Sequence, residues 1–251
     1  MVTGIDRFRE WFRGYEDQYA IIGGTACDLL MSEDGMDFRA TKDIDLVLIV
    51  EAITPDFGRQ FWQFAKDAGY EHRNKSTGLP QFYRFSHPSA AGYPFMIELF
   101  SRRSEAIILP EDAVLTPLPM EDDVSSLSAI LLDDDYYELV RSGSVVVDGV
   151  NVLDAAYLIP FKAKAWLDLT QKKASGQSID SKNIRKHKND VFRLSALLTQ
   201  QSNVVVTESV LADLRAFLVA MQEETVDLKQ LGVIRDKATI IADIMRIYSV
   251  K

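Results

Sequence analysis

The run DIDLVLIV, residues 43–50, limits what this chain can fold into more than any other segment. Six of its eight residues are aliphatic and four of those are β-branched, a composition typical of a strand buried on both faces. Two aspartates, Asp43 and Asp45, stand at its head, where burial of a charge is unfavourable. Residues two apart on a strand point to the same face, so the run predicts a central strand that projects two carboxylates together at its start.

A glycine pair, Gly23 and Gly24, precedes this run. The apolar segment YAII comes before the pair and the helical spacing of TACDLLM after it, which predicts the order strand, glycine turn and helix. Glycines let the backbone approach a ligand closely, and N–H groups at the start of a helix attract phosphate oxygens. Thr25 is expected to cap that helix or to offer its hydroxyl to a phosphate.

A second apolar run, FMIELF, contains one acid, Glu98, whose charge needs a stabilising partner among apolar neighbours. A neighbouring strand would bring Glu98 beside Asp43 and Asp45. Adjacent carboxylates are commonly stabilised by a shared proton or by divalent cations, and ligand sets made only of oxygen suit Mg²⁺. Two such ions about 3.5–4 Å apart serve in-line displacement at phosphorus. The three acids are therefore predicted as metal ligands.

Each feature also has a simpler interpretation. A glycine pair before a helix is usually only a turn, and an Asp-x-Asp at a strand end is more often a solvated edge than a metal site. The two together, in this order and followed by an acid within a strand, favour a site that binds phosphate and metal. The acidic triplets at 121–123 and 133–135 are interpreted as solvated loops, because contiguous acids cannot all face one ion.

The hydrophobic pattern predicts two domains. Residues 1–154 are expected to form an α/β (α+β) domain with a small mixed sheet, and residues 155–251 a C-terminal helical bundle. Within the first domain, helices are predicted at 5–14 and 57–69, strands at QFYRFS, FMIELF and EAIIL, and a closing hairpin from YYELV and SVVVDGVNVL joined by the turn RSGS. The helices of the second domain are predicted at 155–174, 182–199, 207–222 and 235–248.

Composition bounds the environment and the partners. No apolar stretch among the 251 residues approaches the ~20 needed to cross a bilayer, and the N-terminal segment does not resemble a secretion signal. A cytoplasmic protein with no membrane partner is expected, and its single cysteine, Cys27, is predicted to be a buried core thiol. The net charge of −9 disfavours a chain that coats nucleic acid.

One segment has the opposite charge. Between Gln171 and Arg193, seven basic residues against two acidic ones give a local net charge of +5. The basic residues are Lys172, Lys173, Lys182, Arg185, Lys186, Lys188 and Arg193, and the acidic ones are Asp180 and Asp190. This segment would suit RNA.

The segments IIGGTACDLL and RATKDIDLVL together resemble the signature of the DNA polymerase β-like nucleotidyltransferase superfamily, in which a glycine pair precedes an Asp-x-Asp at the head of a strand. Within it, the form Gly-Gly-Thr-Ala followed by Arg-x-Thr-x-Asp-x-Asp-Leu is most similar to the AbiEii/AbiGii-type abortive-infection toxins. The resemblance implies that Asp43 and Asp45 bind Mg²⁺, that Gly23 and Gly24 form the triphosphate loop, and that Arg39 lies near the phosphates.

Two departures accompany this resemblance. Glu98 would be the third acid, at a position where aspartate is commoner. Eighteen residues separate Gly24 from Asp43, a longer interval than in many members, and the extra length is assigned to an inserted loop, MSEDGMDF.

The helical half resembles later motifs of the same family in LIPFKAKAWLDLTQKK and DSKNIRKHKNDVFRLSALL. The resemblance implies that Lys162, preferred to Lys164 on its Lys-x-x-Ala spacing, holds the triphosphate. It also implies that Asp190 is the acid of the second domain. The simpler interpretation of Asp190 is an i,i+4 surface pair with Lys186.

Together these features predict a Mg²⁺-dependent nucleotidyltransferase that transfers a nucleoside monophosphate from a nucleoside triphosphate to an acceptor hydroxyl. The resemblance implies RNA such as tRNA, or a protein, as the acceptor, a role as the toxin of a toxin–antitoxin system, and a cognate antitoxin protein as partner. Antibiotic nucleotidylation of the aminoglycoside type is an alternative that would use the same core. A catalytically silent binding protein is a third, disfavoured because both aspartates of the first motif are present.

Overall fold

The computed structural model describes residues 2–72, 83–102, 115–117 and 128–250, with the backbone alone at 115–117 and 128–131. The chain divides into two compact units, residues 1–153 and 154–251, here called unit 1 and unit 2. The division falls one residue before the boundary expected from the sequence. The predicted strand EAIIL and the acidic triplet at 121–123 lie outside the described residues.

Unit 1 combines helices with a mixed sheet, as the hydrophobic pattern predicts. Its elements are α1 (Ile5–Trp11), β1 (Tyr19–Ile22), α2 (Gly23–Glu33), β2 (Asp43–Leu48), α3 (Pro55–Ala68), β3 (Arg84–Ser86), β4 (Met96–Ser101), β5 (Leu115–Pro117), β6 (Ser128–Leu131), α4 (Asp134–Gly143), β7 (Ser144–Val147) and β8 (Val150–Leu153). The eight described strands form one sheet in the order β5-β6-β4-β2-β1-β8-β7, and β3 pairs with β4. The sheet is larger than the small one expected.

Most of the run DIDLVLIV forms the central strand β2. It pairs antiparallel with β1 on one side and parallel with β4 on the other. Its apolar residues Ile44 and Leu46 have no exposed surface. The parallel register aligns Ile44 with Ile97 and Asp45 with Glu98, so the two strands share one apolar face and one acidic face.

Helix α3 covers the apolar face. It begins at the side chain of Thr54, which accepts a hydrogen bond from the backbone N–H of Phe57, and it ends at Gly69 in the left-handed conformation, as the sequence predicts. Its phenylalanines are buried, and the ring of Phe61 lies 5.0 Å from that of Phe85 on β3. Phe85 aligns with Ile97, so α3 packs on the apolar side and leaves Asp43, Asp45 and Glu98 on the opposite side. That opposite side is called the carboxylate face below.

The predicted strand YYELV is wrong, because these residues form helix α4. Tyr136, Tyr137, Leu139 and Val140 are buried with the spacing of a helix, and this period overrides the β-propensity of tyrosine and valine. Asp133 caps the helix by accepting a hydrogen bond from the N–H of Asp135 at 3.0 Å. The triplet at 133–135 is therefore a helix start, where negative charge is favourable, and not a loop.

The closing hairpin lies within SVVVDGVNVL. Strands β7 and β8 pair antiparallel from Ser144 with Leu153 to Val147 with Val150. The turn residues Asp148 and Gly149 have φ values of 46° and 74°, the left-handed geometry that an Asp-Gly turn favours in a two-residue hairpin.

Unit 2 contains four described α-helices, α5 (Ala155–Ala174), α6 (Ser181–Leu194), α7 (Glu208–Glu223) and α8 (Lys237–Ile247). These lie where the sequence predicts helices, except that α6 ends at Leu194 and a short 3₁₀ turn follows. Helix α5 packs against both α6 and α7. In the described part of the chain, no helix combines the length and apolar character that crossing a membrane requires.

Candidate functional site

The two aspartates begin the central strand. Strand β2 starts at Asp43 itself, and both Asp43 and Asp45 are partly exposed while Ile44 between them is buried. The alternation places the two carboxylates on the same face, as predicted. This pair therefore lies where a strand end meets a surface that a ligand can reach.

The glycine pair lies directly against this acid pair. Strand β1 ends at Ile22, which aligns with Asp45, and helix α2 begins at the next residue, Gly23. Gly23 has a φ of 74°, and a Cβ at this position would collide with Oδ2 of Asp45. Any other residue here would be strained by the positive φ and would displace the carboxylate of Asp45. The N-cap residue of α2 is Ile22, which makes no side-chain hydrogen bond to the helix, and the first N–H groups of a helix are those that attract oxygen ligands.

The segment that leads into β2 passes beside Gly24. A Cβ on Gly24 would lie 2.8 Å from Oγ1 of Thr41 and 3.4 Å from a terminal nitrogen of Arg39. The guanidinium of Arg39 lies 5.0 Å from the ring centroid of Phe38. The structure thus places a cation beside the glycine turn.

Thr25 has a role other than the predicted one. It is fully buried, and its hydroxyl donates a 2.6 Å hydrogen bond to the backbone carbonyl of Asp43. The contact ties the first turn of α2 to the start of β2. Thr25 therefore neither caps the helix nor presents its hydroxyl to a ligand, but fixes the distance between the glycine turn and the acids.

Glu98 is on the carboxylate face but has a cation as its partner. It aligns with Asp45 on one side and with Arg84 of β3 on the other. The Nε of Arg84 lies 2.6 Å from Oε1 of Glu98, and one terminal nitrogen lies 2.5 Å from the same oxygen. Among the described residues, no three His, Cys, Asp or Glu side chains are grouped to hold a metal. The predicted three-acid cluster is corrected to two aspartates and an ion-paired glutamate.

The two predicted site residues of unit 2 contact each other. The ammonium of Lys162 lies 3.4 Å from Oδ2 of Asp190, and Arg193 lies 3.6 Å from Oδ1 of the same carboxylate. The side chain of Lys162 is 4% exposed and that of Asp190 is fully buried. These three residues are called the buried ion cluster below. Burial rules out the surface-pair interpretation of Asp190.

Lys164, the alternative to Lys162, lies on the surface. Its ammonium pairs with Asp168 at 2.9 Å, one helical turn away, and lies 3.9 Å from Asp213.

The basic segment keeps only part of its charge at the surface. Lys188 is buried and pairs with Glu224 at 2.6 Å, and Arg193 belongs to the buried ion cluster. The remaining cations lie at the adjoining ends of α5 and α6, where Lys173 donates a hydrogen bond to Ser181. They are Lys172, Lys173, Lys182, Arg185 and Lys186, called the basic hairpin end below. No described acid forms an ion pair with the first four of them.

No protein family model matches this chain, and no curated protein matches it. A solved structure similar to it is the solution structure of the antibiotic-resistance factor ANT(2'')-Ia, at 13% sequence identity and a TM-score of 0.39. The similarity covers 88% of this chain and 94% of that one. A likeness at this level defines neither a family nor an activity for the present chain.

The sequence does not single out Arg84. Thr41 and Arg193 occur there only as part of the Arg-x-Thr-x-Asp-x-Asp motif and of the basic segment, without the contacts that they make in the structure. A partial signal exists for Arg84: the strand candidate QFYRFS contains one cation, the next strand candidate FMIELF contains one acid, and opposite charges favour direct cross-strand pairing. The contact between Arg193 and Asp190 follows from their i,i+3 spacing on one helix face. Thr41 lies in an irregular segment, and its place beside Gly24 has no periodic signal.

Proposed function

We propose that this protein is a Mg²⁺-dependent nucleotidyltransferase that transfers a nucleoside monophosphate from a nucleoside triphosphate to an acceptor hydroxyl. The observation that supports it most is the close approach of Gly23 to Asp45. A glycine turn at the N-terminus of a helix binds phosphate, and adjacent carboxylates bind a divalent cation. The two lie against each other at the start of β2.

The donor set of the carboxylate face fits Mg²⁺. Protein sites usually hold this ion through one or two carboxylates together with substrate phosphates and water, so Asp43 and Asp45 suffice without a third acid. When bound, Mg²⁺ would offset the negative charge of the triphosphate and favour deprotonation of the acceptor hydroxyl.

Different residues of unit 1 bind the phosphates and accept the proton of the acceptor hydroxyl. The N–H groups at Gly23 and Gly24, with the guanidinium of Arg39 beside them, hold the β- and γ-phosphates. The acceptor oxygen forms a bond to the α-phosphorus while the bond from that phosphorus to the bridging oxygen breaks. Pyrophosphate leaves with the bonding electrons toward the glycine turn, and the hydroxyl proton passes to a carboxylate of the carboxylate face.

RNA, such as tRNA, is the proposed acceptor. The basic hairpin end supplies exposed cations for phosphate contacts in a protein whose overall charge is −9. Nucleotidylation of an RNA that the cell needs would arrest growth, so the proposal includes the role of a toxin that a cognate antitoxin protein restrains. Growth arrest on expression of the wild-type protein, but not of an Asp45→Asn variant, is the expected sign of that role.

A labelling experiment tests the reaction. The protein is incubated with Mg²⁺ and each α-labelled nucleoside triphosphate in turn, with total RNA, cell protein or an aminoglycoside as acceptor. Label is expected in RNA, whereas label in protein or in the antibiotic would redirect the acceptor. Asp43→Asn and Asp45→Asn should each lower transfer about a hundredfold or more, since several kcal/mol of charge stabilisation would be lost.

The matched control is Asp56→Asn, an exposed aspartate on α3 that pairs with Arg59. It should transfer label at the wild-type rate. Full activity in Asp45→Asn would refute the assignment of the carboxylate face as the active site.

A further inference from the structure

A row of charged side chains crosses the carboxylate face from strand to strand. Asp45 aligns with Glu98 across β2 and β4, and Glu98 aligns with Arg84 across β4 and β3. Neighbouring strands lie about 4.8 Å apart, so the row extends about 10 Å across the sheet. Gly23 lies over the Asp45 end, and Arg84 forms the other end.

Arg84 is the more accessible partner in its ion pair. Its side chain is 45% exposed, whereas that of Glu98 is 15% exposed. Both contacts from the guanidinium go to the single oxygen Oε1 of Glu98. A guanidinium has five N–H donors, so donors remain for a second acceptor. A guanidinium held in place by one carboxylate is well suited to bind phosphate, because its planar fork matches phosphate oxygens.

We propose that Arg84 binds a backbone phosphate of the RNA acceptor, and that Glu98 is a positioning residue for Arg84 and not a metal ligand. The inference rests on the proposed nucleotidyl transfer. In such a transfer, the attacking and leaving oxygens lie roughly in line on opposite sides of the phosphorus. Pyrophosphate leaves at the Gly23 end of the row, so the acceptor approaches from the end formed by Arg84.

Binding of RNA without nucleotide or metal tests the contact. A short fluorescent single-stranded RNA is titrated with wild-type protein and with Arg84→Gln in the presence of EDTA, over a range of salt concentrations. Loss of one charge-assisted contact should weaken binding by roughly tenfold. The slope of log affinity against log salt should fall by about 0.7, the contribution of one phosphate contact in a single strand.

Arg59→Gln is the matched control. Arg59 is 48% exposed and also pairs with a carboxylate, Asp56, but it lies on α3, which covers the apolar side of the sheet. It should leave the affinity and the salt slope unchanged. Equal values for Arg84→Gln and wild type, an equal loss in Arg59→Gln, or no binding by the wild-type protein would overturn the proposal.

The variant Glu98→Asp tests whether Glu98 holds Arg84 in place for RNA binding, and EDTA removes any contribution from a bound metal. The substitution keeps the negative charge but shortens the side chain by one methylene, so the carboxylate can no longer hold Arg84 in its present place. RNA affinity in EDTA should fall about threefold or more, and Arg84→Gln/Glu98→Asp should bind no more weakly than Arg84→Gln alone, because the two residues act as one unit. Wild-type affinity in Glu98→Asp would overturn the positioning role.

The binding and labelling results separate this inference from the proposed function. If RNA binding depends on Arg84 but no label reaches any acceptor, the phosphate contact stands and nucleotidyl transfer fails. If label reaches RNA with the same KM for RNA in wild type and Arg84→Gln, transfer stands and the contact fails. If both stand, Arg84→Gln should raise the KM for RNA and leave the KM for the nucleotide unchanged.

Discussion

The carboxylate face of unit 1 and the buried ion cluster of unit 2 are built from the same kinds of side chain, but the carboxylates differ in burial. Asp43 and Asp45 are partly exposed on the sheet, with a glycine turn against them. Asp190 is fully buried between Lys162 and Arg193. Like charges two residues apart on one face of a strand repel each other, whereas removal of a buried carboxylate leaves its partner cation without a counter-charge in the interior.

Under the proposed function, the charges of the carboxylate face serve chemistry and those of the buried ion cluster serve folding. The buried ion cluster spans two helices, α5 and α6, and each partner satisfies the desolvation cost of the other. Around the aspartates of β2, the apolar side chains of Ile44 and Leu46 and the hydrogen bond from Thr25 to the backbone of Asp43 hold the strand in place. Substitutions in the carboxylate face should therefore lower activity more than stability. Substitutions in the buried ion cluster should lower stability more than activity.

The largest expected effect on stability is that of Asp190→Ala. It removes the counter-charge of Lys162, which is 4% exposed, so the free energy of unfolding of unit 2 should fall by about 3–5 kcal/mol. Urea titration with hydrogen exchange read at the amides of α5 and α6 measures this value. Asp168→Ala, which removes a surface partner of Lys164, should cost less than about 0.5 kcal/mol.

A double substitution sharpens the interpretation of Lys162. Lys162→Met/Asp190→Leu removes both buried charges, and Arg193, which is 16% exposed, can extend its guanidinium into water. Part of the lost stability should return. If the double variant transfers label at the wild-type rate, Lys162 does not hold the triphosphate. If the double variant is stable but transfers no label, the result supports the triphosphate-binding role that the resemblance implies for Lys162.

Gly23→Ala should have the next largest effect. The residue has a φ of 74°, and its new Cβ would collide with Oδ2 of Asp45, so unit 1 should lose about 1–3 kcal/mol and transfer should fall. Gly176→Ala is the control, because Gly176 has a φ of 90° and no atom within 4 Å of its Cβ position. The difference between the losses of stability in Gly23→Ala and Gly176→Ala measures the effect of the contact with Asp45. Equal losses would mean that the carboxylate of Asp45 moves aside freely.

The parts of unit 1 that the sequence predicts well are those with a strong period or a strong end signal. The apolar run of β2, the aromatic stripe of α3 and the glycine that ends it all follow local rules. The tyrosines and valine of YYELV favour a strand by propensity, whereas Asp133 and the spacing of the buried residues indicate the helix that forms. Period decides the structure there and propensity does not.

The candidate site was less predictable because its contacts depend on register. The sequence places Asp43 and Asp45 on one face by their spacing, but it does not specify which residue aligns with Glu98 across the next strand. Arg84 takes that place, and it turns an expected metal ligand into half of an ion pair. Asp190 is similar, since its burial against Lys162 depends on how α5 and α6 pack and not on its neighbours in sequence.

The smallest expected change in stability is that of Asp45→Asn, which makes it the sharpest test of the comparison. The substitution keeps the size of the side chain and removes a like charge beside Asp43, so the free energy of unfolding of unit 1 should change by no more than about 0.5 kcal/mol. Thermal and urea unfolding measure this change on the same sample that is assayed for transfer. A variant that is inactive and as stable as wild type assigns Asp45 to chemistry. A loss of stability as large as that of Asp190→Ala would mean that this carboxylate also holds the fold together, and the contrast between the two units would fail.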